Sequence, residues 1–430
     1  MRNPIIDIGA KELSYEIREI VEIAKKVKNY GKEIIWENIG DPIAKGEKIP
    51  DWIKEIIISE VKDDSSYGYS PTKGLEETRE FLANEVNKRG KAQINKEDII
   101  FFNGLGDAIA KIYGLLRREI RVINPSPSYS THSSAEAAHA GAPPLTYYLN
   151  PHDCWYPDMD DLYKRIKYNP AVSGILIINP DNPTGAVYPK KILDEIVDIA
   201  NEFDLFIISD EIYCNIIYNN KKQVLLSDVI DDVPGIALKG ISKELPWPGA
   251  RCGWIEVYNS DKDEEFKRYI DSIYRAKLIE VCSTTLPQKV IPKIFGDRRY
   301  KNYLKERNKL YEKRSNLAYN LLKNIDGVIV NKANGAFYMS VVFDNTYLNG
   351  ANEIKINNKN LKEFVDSLKP NTHDKKFVYQ LLAETGICVV PLTSFCTELN
   401  GFRITLLESD EKKFKYIFDT IAEKIKEFLE

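Results

Sequence analysis

One lysine in this sequence lies in an unusually stiff stretch, GISKELPWPGARCGW (residues 240–254), with an arginine eight residues after it. Prolines and glycines restrict the backbone on both sides of Lys243. A fixed amine can form a Schiff base with an aldehyde, and a nearby guanidinium such as Arg251 can bind phosphate. A lysine in a loop can also be only a solvated charge, so the other polar groups of the chain must decide between the two interpretations.

Further polar side chains follow apolar segments that are typical of buried strands. Asp210 and Tyr213 come after LFIIS, Asn182 lies in PDNPTG after GILIIN, and Tyr129 follows a third apolar segment in NPSPSY. A carboxylate that ends a buried strand needs a cation or a hydrogen-bond donor. The pattern indicates a ligand site, although PDNPTG could also be a simple turn in which Thr184 caps a helix.

A helix with two glycines at its start, GLGDAIAKI, follows the apolar segment DIIFFN. The unpaired N–H groups and the positive dipole end of such a helix can bind phosphate. It is not the dinucleotide pattern G-x-G-x-x-G, because Ile109 occupies the third glycine position, and it could be only a tight turn.

These groups together suit one ligand, pyridoxal phosphate, whose Schiff base with lysine makes the ring an electron sink. Its phosphate suits the glycine-rich helix start and Arg251, its flat ring suits Tyr129, its ring nitrogen suits Asp210, its ring oxygen suits Asn182 and Tyr213, and its aldehyde suits Lys243.

The elements that position these groups alternate between short apolar strands and helices. Such alternation predicts an α/β fold with a mostly parallel sheet covered by helices on both faces, and ligands bind beyond the carboxyl ends of its strands. Strands are predicted over residues 98–103, 121–124, 174–179 and 205–210, and helices over 12–30, 75–90, 106–117, 190–203 and 300–324.

After about Gly296 the pattern changes to a long charged helix, partly alternating apolar segments and a C-terminal helix, which predicts a smaller α+β domain. We expect an N-terminal segment (1–49) that packs with the small domain and the active site, a large α/β domain (50–296) and a small domain (297–430).

The composition excludes several classes of protein. With 430 residues, 43% of them hydrophobic, and a formal charge of −4, the chain favours a globular protein with neither nucleic-acid nor membrane partners. Six cysteines without a C-x-x-C pair and only four histidines predict neither a disulfide framework nor a metal site. We find neither a signal peptide nor a run of about 20 apolar residues, so we expect a cytoplasmic location.

The motifs follow the order found in the class I/II aminotransferases of pyridoxal-phosphate fold type I. They are NIGDP, YGYSPTKGL, NGLGDAI, PSPSY, NPDNPTG, SDEIY, SK with Arg251, and FRITLL. The chain resembles this family over nearly its whole length. The stretches SYEIR, GKEIIWENIGDP and CWYPDMDDL are most similar to the alanine aminotransferase subgroup. The resemblance implies a large domain of the seven-stranded type, pyridoxal phosphate as cofactor, and a homodimer with composite active sites.

The resemblance also implies a role for each candidate residue. Lys243 would hold the cofactor as a Schiff base and shuttle the proton, with Asp210 and Tyr213 as the other catalytic groups. Tyr129 would stack on the ring, Asp210 would pair with the ring nitrogen, and Asn182 and Tyr213 would bind the ring oxygen. The phosphate would be bound by Leu105, Gly106, Ser242, Arg251 and the neighbouring subunit's Tyr69. The substrate would be bound by Arg403, Gly40 and Asn182.

Two residues of the N-terminal segment, Tyr15 and Arg18, are expected to face the substrate side chain. Arg18 is a candidate for binding the distal carboxylate of glutamate, or else a solvated charge on a helix. The chain departs from the family pattern at Gly106, where many relatives have Ser or Thr, at Gly240, where others have Ser, and at Ser130, where proline is common. Backbone amides, together with Ser242 and Arg251, must therefore bind more of the phosphate.

The predicted function is amino-group transfer between an L-amino acid, alanine or glutamate by resemblance, and a 2-oxo acid. A lyase that cleaves C–S or C–C bonds on the same fold shares Lys243, Asp210 and Arg403, so the sequence separates the two poorly. A non-catalytic regulator is a remote alternative, because the chain has no space for a DNA-binding module before its first α/β unit and is acidic overall.

Overall fold

The computed structural model describes residues 1–13 and 18–430. The strands are β1 (Ile35–Trp36), β2 (Ile99–Phe102), β3 (Arg121–Ser126), β4 (Thr146–Asn150), β5 (Tyr156–Pro157), β6 (Val172–Ile178), β7 (Phe206–Asp210), β8 (Gly235–Gly240), β9 (Gly253–Tyr258), β10 (Val328–Val330), β11 (Tyr338–Phe343), β12 (Ile387–Cys388), β13 (Val390–Pro391) and β14 (Gly401–Thr405). The helices are α1 (Glu19–Asn29), α2 (Asp51–Val61), α3 (Glu76–Asn87), α4 (Leu105–Gly114), α5 (Ser130–Ala140), α6 (Met159–Lys167), α7 (Lys190–Glu202), α8 (Glu264–Glu280), α9 (Thr285–Phe295), α10 (Tyr300–Leu322), α11 (Lys359–Leu368), α12 (His373–Thr385) and α13 (Glu411–Leu429).

The large sheet has eight strands in the order β2-β9-β8-β7-β6-β3-β4-β5. Strands β8, β7, β6, β3 and β4 run parallel, and β9 is antiparallel to both of its neighbours. Alternate residues of β6 enter different hydrophobic cores: Ile175 and Ile177 pack in one, Leu176 and Ile178 in the other. A strand buried on both faces needs an apolar residue at every position, which is why GILII is continuous. The predicted α/β fold class is confirmed.

The smaller sheet is antiparallel, in the order β10-β11-β14-β13. The short strand β1 pairs with β12 in parallel, with Ile35 opposite Ile387, so the N-terminal segment is joined to an element of the last third of the chain. The backbone N–H of Thr405 in β14 also donates to the carbonyl of Glu37 (3.0 Å). Gly40, a few residues further on, accepts a hydrogen bond from Lys243, which follows β8, so this segment also reaches the edge of the large sheet where its parallel strands end.

Element boundaries differ from the predictions in a few places. The first helix begins at Glu19 and ends before Gly31, whose φ of +86° suits glycine, while part of its predicted first turn lies outside the described residues. Thr184 does not cap a helix: α7 begins at Lys190, and the Thr184 hydroxyl donates instead to the carboxylate of Asp181. In residues 1–13 and 18–430, no helix combines the length and the apolar character that crossing a membrane requires.

Candidate active site

The candidate site lies at the carboxyl edge of the parallel strands. Asp210 is the last residue of β7, Asn182 lies in the loop after β6, and Tyr129 follows β3. A cleft of about 330 Å³ lies at this edge, and it is lined by every predicted site residue except Tyr15 and Tyr69. Tyr15 lies outside the described residues. Tyr69 is 87% exposed and does not line the cleft of its own chain.

A larger cavity, of about 880 Å³, lies at the opposite edge of the same sheet. Phe206, at the start of β7, and Phe266, in α8, line it. None of the predicted site residues that the structure describes lines this cavity, and ligands of open α/β sheets bind at the carboxyl edge. We therefore assign the candidate site to the smaller cleft.

Lys243 follows β8 and directs its amine toward the N-terminal segment. Its Nζ donates a hydrogen bond to the carbonyl oxygen of Gly40 at 2.7 Å. Burial of the amine, together with the positive charges of Arg403 and Arg251, lowers its pKa to about 8, although Asp41 and Asp210 oppose the shift. A lysine with a pKa near 8 is neutral in a useful fraction of molecules, which is the form that attacks a carbonyl.

Asp210 is held by a contact that the sequence did not predict. Its Oδ2 lies 3.0 Å from Nε2 of His132, and its Oδ1 accepts from the backbone N–H of Ile212 at 3.1 Å. Nδ1 of His132 lies 3.4 Å from the hydroxyl of Tyr113, and both of these side chains are buried. The available signal was a histidine three residues after Tyr129, close enough along α5 to reach the same edge of the sheet.

Tyr213 and Asn182 each face a group from the small sheet. The Tyr213 hydroxyl donates to the hydroxyl of Tyr338 at 3.2 Å, and burial raises the pKa of Tyr213 well above its usual range. Oδ1 of Asn182 accepts from Nη1 of Arg403 at 3.1 Å. Both side chains therefore lie where the large and the small sheets meet.

The guanidinium of Arg403 is fixed between two aromatic rings. Its central carbon lies 4.4 Å from the ring centre of Tyr338 and 4.8 Å from that of Phe395. Nη2 donates to the carbonyl oxygen of Asn38, and Nε is buried without a hydrogen-bond partner in the described part of the chain. A planar cation held in this way is suited to a carboxylate ligand.

The start of α4 and the guanidinium of Arg251 lie side by side in the lining of the cleft. Gly104 precedes the helix with a φ of +84°, and a Cβ atom there would lie 2.6 Å from Nη2 of Arg251. Only glycine therefore allows the guanidinium to approach the helix start so closely. A Cβ at Gly106 would meet no atom within 4 Å, which leaves space beside the first N–H groups of the helix.

The family model for aminotransferase class I and II matches residues 33–421 of the chain. A protein of Methanocaldococcus jannaschii described as an uncharacterised aminotransferase is 76% identical over 430 residues, which is the full length of both chains. The glutamate-pyruvate aminotransferase AlaA of Escherichia coli K12 is 32% identical over 333 residues, which cover 76% of this chain and 80% of that protein.

Solved structures are similar over almost the whole chain. An alanine aminotransferase from Pyrococcus furiosus superposes with a TM-score of 0.83 at 26% identity and covers 98% of both chains. An aminotransferase from Escherichia coli superposes with the same TM-score at 28% identity, and the match covers 99% of this chain and 98% of that one.

Proposed function

The chain belongs to the class I and II aminotransferases, and on this basis we propose that it moves an amino group between an L-amino acid of the alanine or glutamate kind and a 2-oxo acid. Enzymes of this family depend on pyridoxal phosphate. One observation carries the proposal: the Lys243 amine, the Asp210 carboxylate and the Arg403 guanidinium line a single cleft.

The residues of the cleft fit pyridoxal phosphate. The start of α4 and Arg251 provide a cationic corner for its phosphate, and a buried carboxylate, Asp210, is available for its ring nitrogen. Lys243 provides the amine that bonds to its aldehyde. When bound, the cofactor accepts the electron pair that a substrate Cα releases on losing a proton.

The protein's own groups bind, orient and move a proton. Lys243 takes the proton from the substrate Cα and returns it, a role that its lowered pKa supports. Asp210, held by His132, would pair with the ring nitrogen and favour its protonated form, and Asn182 and Tyr213 would bind the ring oxygen.

The substrate is proposed to lie between Lys243 and Arg403. Arg403 binds the α-carboxylate that all amino acids and 2-oxo acids share. Arg18 lines the same cleft and is proposed to bind the distal carboxylate of glutamate or 2-oxoglutarate. Two relatives are named glutamate-pyruvate aminotransferase and alanine aminotransferase, and these names support alanine and glutamate as the amino acids.

The proposal is tested with Lys243→Ala, and Lys190→Ala, an exposed lysine on α7, serves as the control. We expect Lys243→Ala to lose turnover of alanine with 2-oxoglutarate and to lose the covalent cofactor adduct that borohydride reduction gives in the wild type. Mass spectrometry of the reduced protein locates the adduct. Normal turnover in Lys243→Ala, or an adduct at another lysine, would contradict the assignment.

The lyase alternative is separated by the products. A transaminase converts alanine to pyruvate in amounts equal to the glutamate formed, whereas a lyase releases ammonia or a thiol without needing a 2-oxo acid. No feature of the cleft favours a lyase over a transferase, and the relatives named above are aminotransferases, not regulators.

We further propose a homodimer in which Tyr69 reaches the phosphate corner of the partner subunit. The exposure of Tyr69 supports this, as does that of neighbouring large apolar side chains such as Ile58, Val61 and Tyr67, because a cluster of this kind commonly marks a protein interface. A reducing, cytoplasmic location is also proposed, supported by six cysteines that form no disulfide; all six lie in the described ranges.

A further inference from the structure

Arg307 in α10 lies directly beneath the loop that carries Lys243. Its side chain is only 4% exposed, and its Nη1 donates to the backbone carbonyls of Lys243 at 2.6 Å and of Glu244 at 2.9 Å. A single guanidinium nitrogen thus holds the backbone of the lysine itself and that of the next residue. The contact is made to backbone atoms, so it acts on the path of the loop and not on a side-chain rotamer.

The other side of the same guanidinium binds Glu47. Nε donates to Oε1 at 2.5 Å and Nη2 donates to Oε2 at 3.2 Å. This bidentate ion pair fixes the orientation of the guanidinium as well as its distance. The hydroxyl of Tyr311, one turn along α10, also donates to Oε2 of Glu47 at 2.9 Å and accepts from Nη2 at 3.1 Å. Arg307 is therefore held in a fixed plane by two partners while it binds the loop.

Glu47 ends a stretch, residues 38–47, that we call the bridging segment. Its first residue, Asn38, accepts from Nη2 of Arg403 through its carbonyl, and Gly40 accepts from Nζ of Lys243. The bridging segment thus touches the carboxylate-binding arginine, the lysine amine and, through Arg307, the lysine backbone. A Cβ at Gly40 would lie 1.8 Å from the Tyr338 hydroxyl, so the segment has little freedom to shift at that point.

We propose that Arg307 is a positioning residue which, through Glu47, fixes the loop of Lys243 relative to the bridging segment and so sets where the lysine amine lies against the substrate held by Arg403. This inference rests on the proposed function, because it takes Lys243 as the lysine that bonds the cofactor.

The loop that carries Lys243 needs an added contact to fix its backbone. Residues 241–247 form neither a helix nor a strand, and a lysine side chain has four rotatable bonds, so the amine is only as well placed as the backbone that carries it. A reacting group displaced by about 1 Å can lose about a hundredfold in rate. Arg307 restrains the start of that side chain at the carbonyl of the same residue.

The main test compares Arg307→Gln with Arg79→Gln in the holoenzyme. Arg79, in α3, is a matched control, because it is also a buried arginine that donates to two backbone carbonyls, those of Gly74 and Lys96, and pairs with a glutamate, Glu97, none of which lies in the lysine loop or the bridging segment. Four quantities are measured: the melting temperature, kcat and KM with alanine, and the rate at which hydroxylamine removes the cofactor. The last quantity reports how well the lysine bond is shielded, independently of turnover.

We expect both variants to melt at lower temperatures, since each loses a buried arginine. In Arg307→Gln alone, kcat should fall about tenfold or more while KM changes by less than about threefold. Hydroxylamine should also remove the cofactor from this variant about fivefold or more faster than from the wild type. Arg307→Lys keeps a charged donor for the carbonyls and should recover part of both effects. If kcat and the release rate stay within twofold of the wild type in Arg307→Gln, Arg307 is only a structural residue and the inference is overturned.

A second variant keeps the inference testable if Arg307→Gln does not fold. Glu47→Gln has the same shape, leaves Arg307 on the loop carbonyls and removes only the charged tie, so we expect a loss in kcat of about threefold to tenfold. In the double variant the two losses should not multiply, because both act through one contact. If the two losses in kcat do multiply, or if Glu47→Gln loses no kcat, the proposed role of the contact between Arg307 and Glu47 is contradicted. Failure of the wild type to bond cofactor at Lys243 would instead contradict the proposed function.

Discussion

At the scale of single residues, the carboxylate of Asp210 is the group with the most clearly defined surroundings. It lies between a histidine nitrogen and a backbone N–H at the end of a buried strand. We expect Asp210→Asn to keep the fold and to lose about a hundredfold or more in kcat, the scale of one key electrostatic contact. Steady-state kinetics with alanine and 2-oxoglutarate measure this, and Asp232→Asn, an exposed acid, is the control. A loss below threefold would mean that Asp210 does not face the ring nitrogen.

A second carboxylate, Asp181, gives a prediction about pH. Burial raises its pKa to about 7, with Asp210 adding to the rise and the two hydrogen bonds from Thr184 opposing it; Tyr147 and Tyr188 also face it. A raised pKa contributes stability at low pH that is lost as the pH rises through about 7. The side chain of Asp181→Asn does not titrate, so this variant does not lose that stability. The free energy of unfolding of Asp181→Asn minus that of the wild type should therefore increase by about 1–3 kcal/mol between pH 5 and pH 8.

Denaturant unfolding at the two pH values measures that difference, with the exposed Asp153→Asn as the control. An advantage that is equal at pH 5 and pH 8 would show that Asp181 does not titrate in this range in the folded protein.

The sequence indicated that Lys243, Asp210, Asn182 and Tyr129 belong to one site because each lies in a short motif next to a strand end, whereas Arg403 was predicted from the resemblance of FRITLL to the family. It did not predict His132, Tyr338 or the pair of Arg307 and Glu47. His132 had only its position three residues after Tyr129 as a signal, the others lie in no such motif, and the contact of Arg307 with Glu47 joins residues 260 positions apart. Such contacts depend on how the elements pack, which a local pattern does not contain.

At the scale of elements, two glycines that depart from the family pattern behave in opposite ways. A Cβ at Gly240, the last residue of β8, would lie 3.0 Å from the carbonyl oxygen of Cys252 in the neighbouring chain segment, whereas one at Gly106 in α4 would meet open space. Gly240→Ser should therefore destabilise the protein by about 1–3 kcal/mol through crowding. Gly106→Ser should fold at least as well as the wild type and lower the Kd for pyridoxal phosphate about threefold to tenfold, through one added hydrogen bond.

Thermal unfolding and cofactor titration measure the two effects, and Gly106→Ala separates the added hydroxyl from the added carbon. If Gly106→Ala and Gly106→Ser bind cofactor equally, the hydroxyl makes no contact with the phosphate.

The alternation of strands and helices was predictable because a strand buried on both faces must be apolar throughout. The residues at which the elements end were harder to predict. Thr184, for example, has the residue type of a helix cap, but its hydroxyl is used by the nearby buried Asp181, and Pro189 precedes the helix instead. The short strands β5 and β12 have two residues each, too few to show a period. Their existence depends on partners elsewhere in the chain.

At the scale of the whole molecule, the proposed dimer predicts that defective chains complement each other. Tyr69→Phe and Lys243→Ala should each have low activity alone. After subunit exchange, a mixed dimer contains one site with both Tyr69 and Lys243, so activity should rise above the sum of the separate proteins. Native mass spectrometry confirms that exchange has occurred, because the mixed dimer has a mass between those of the two parent dimers. Exchange without a rise would place Tyr69 in the site of its own chain.

The proposed division into segments 1–49, 50–296 and 297–430 belongs to the same scale. The pairing of β1 with β12 supports grouping the N-terminal segment with the last of these, because the two strands share backbone hydrogen bonds.

That pairing also has a consequence for how the protein is made. The ribosome releases Ile35 long before Ile387, and Asn38 long before Arg403, so the N-terminal segment has no partner while most of the chain is being translated. The large sheet can fold meanwhile, since its last strand ends at Tyr258. A nascent chain therefore gains the Arg403 side of the cleft only after residues 387–405 have emerged. Under the proposed function, fragments released earlier during translation would have Lys243 but not the arginine proposed to bind the substrate beside it.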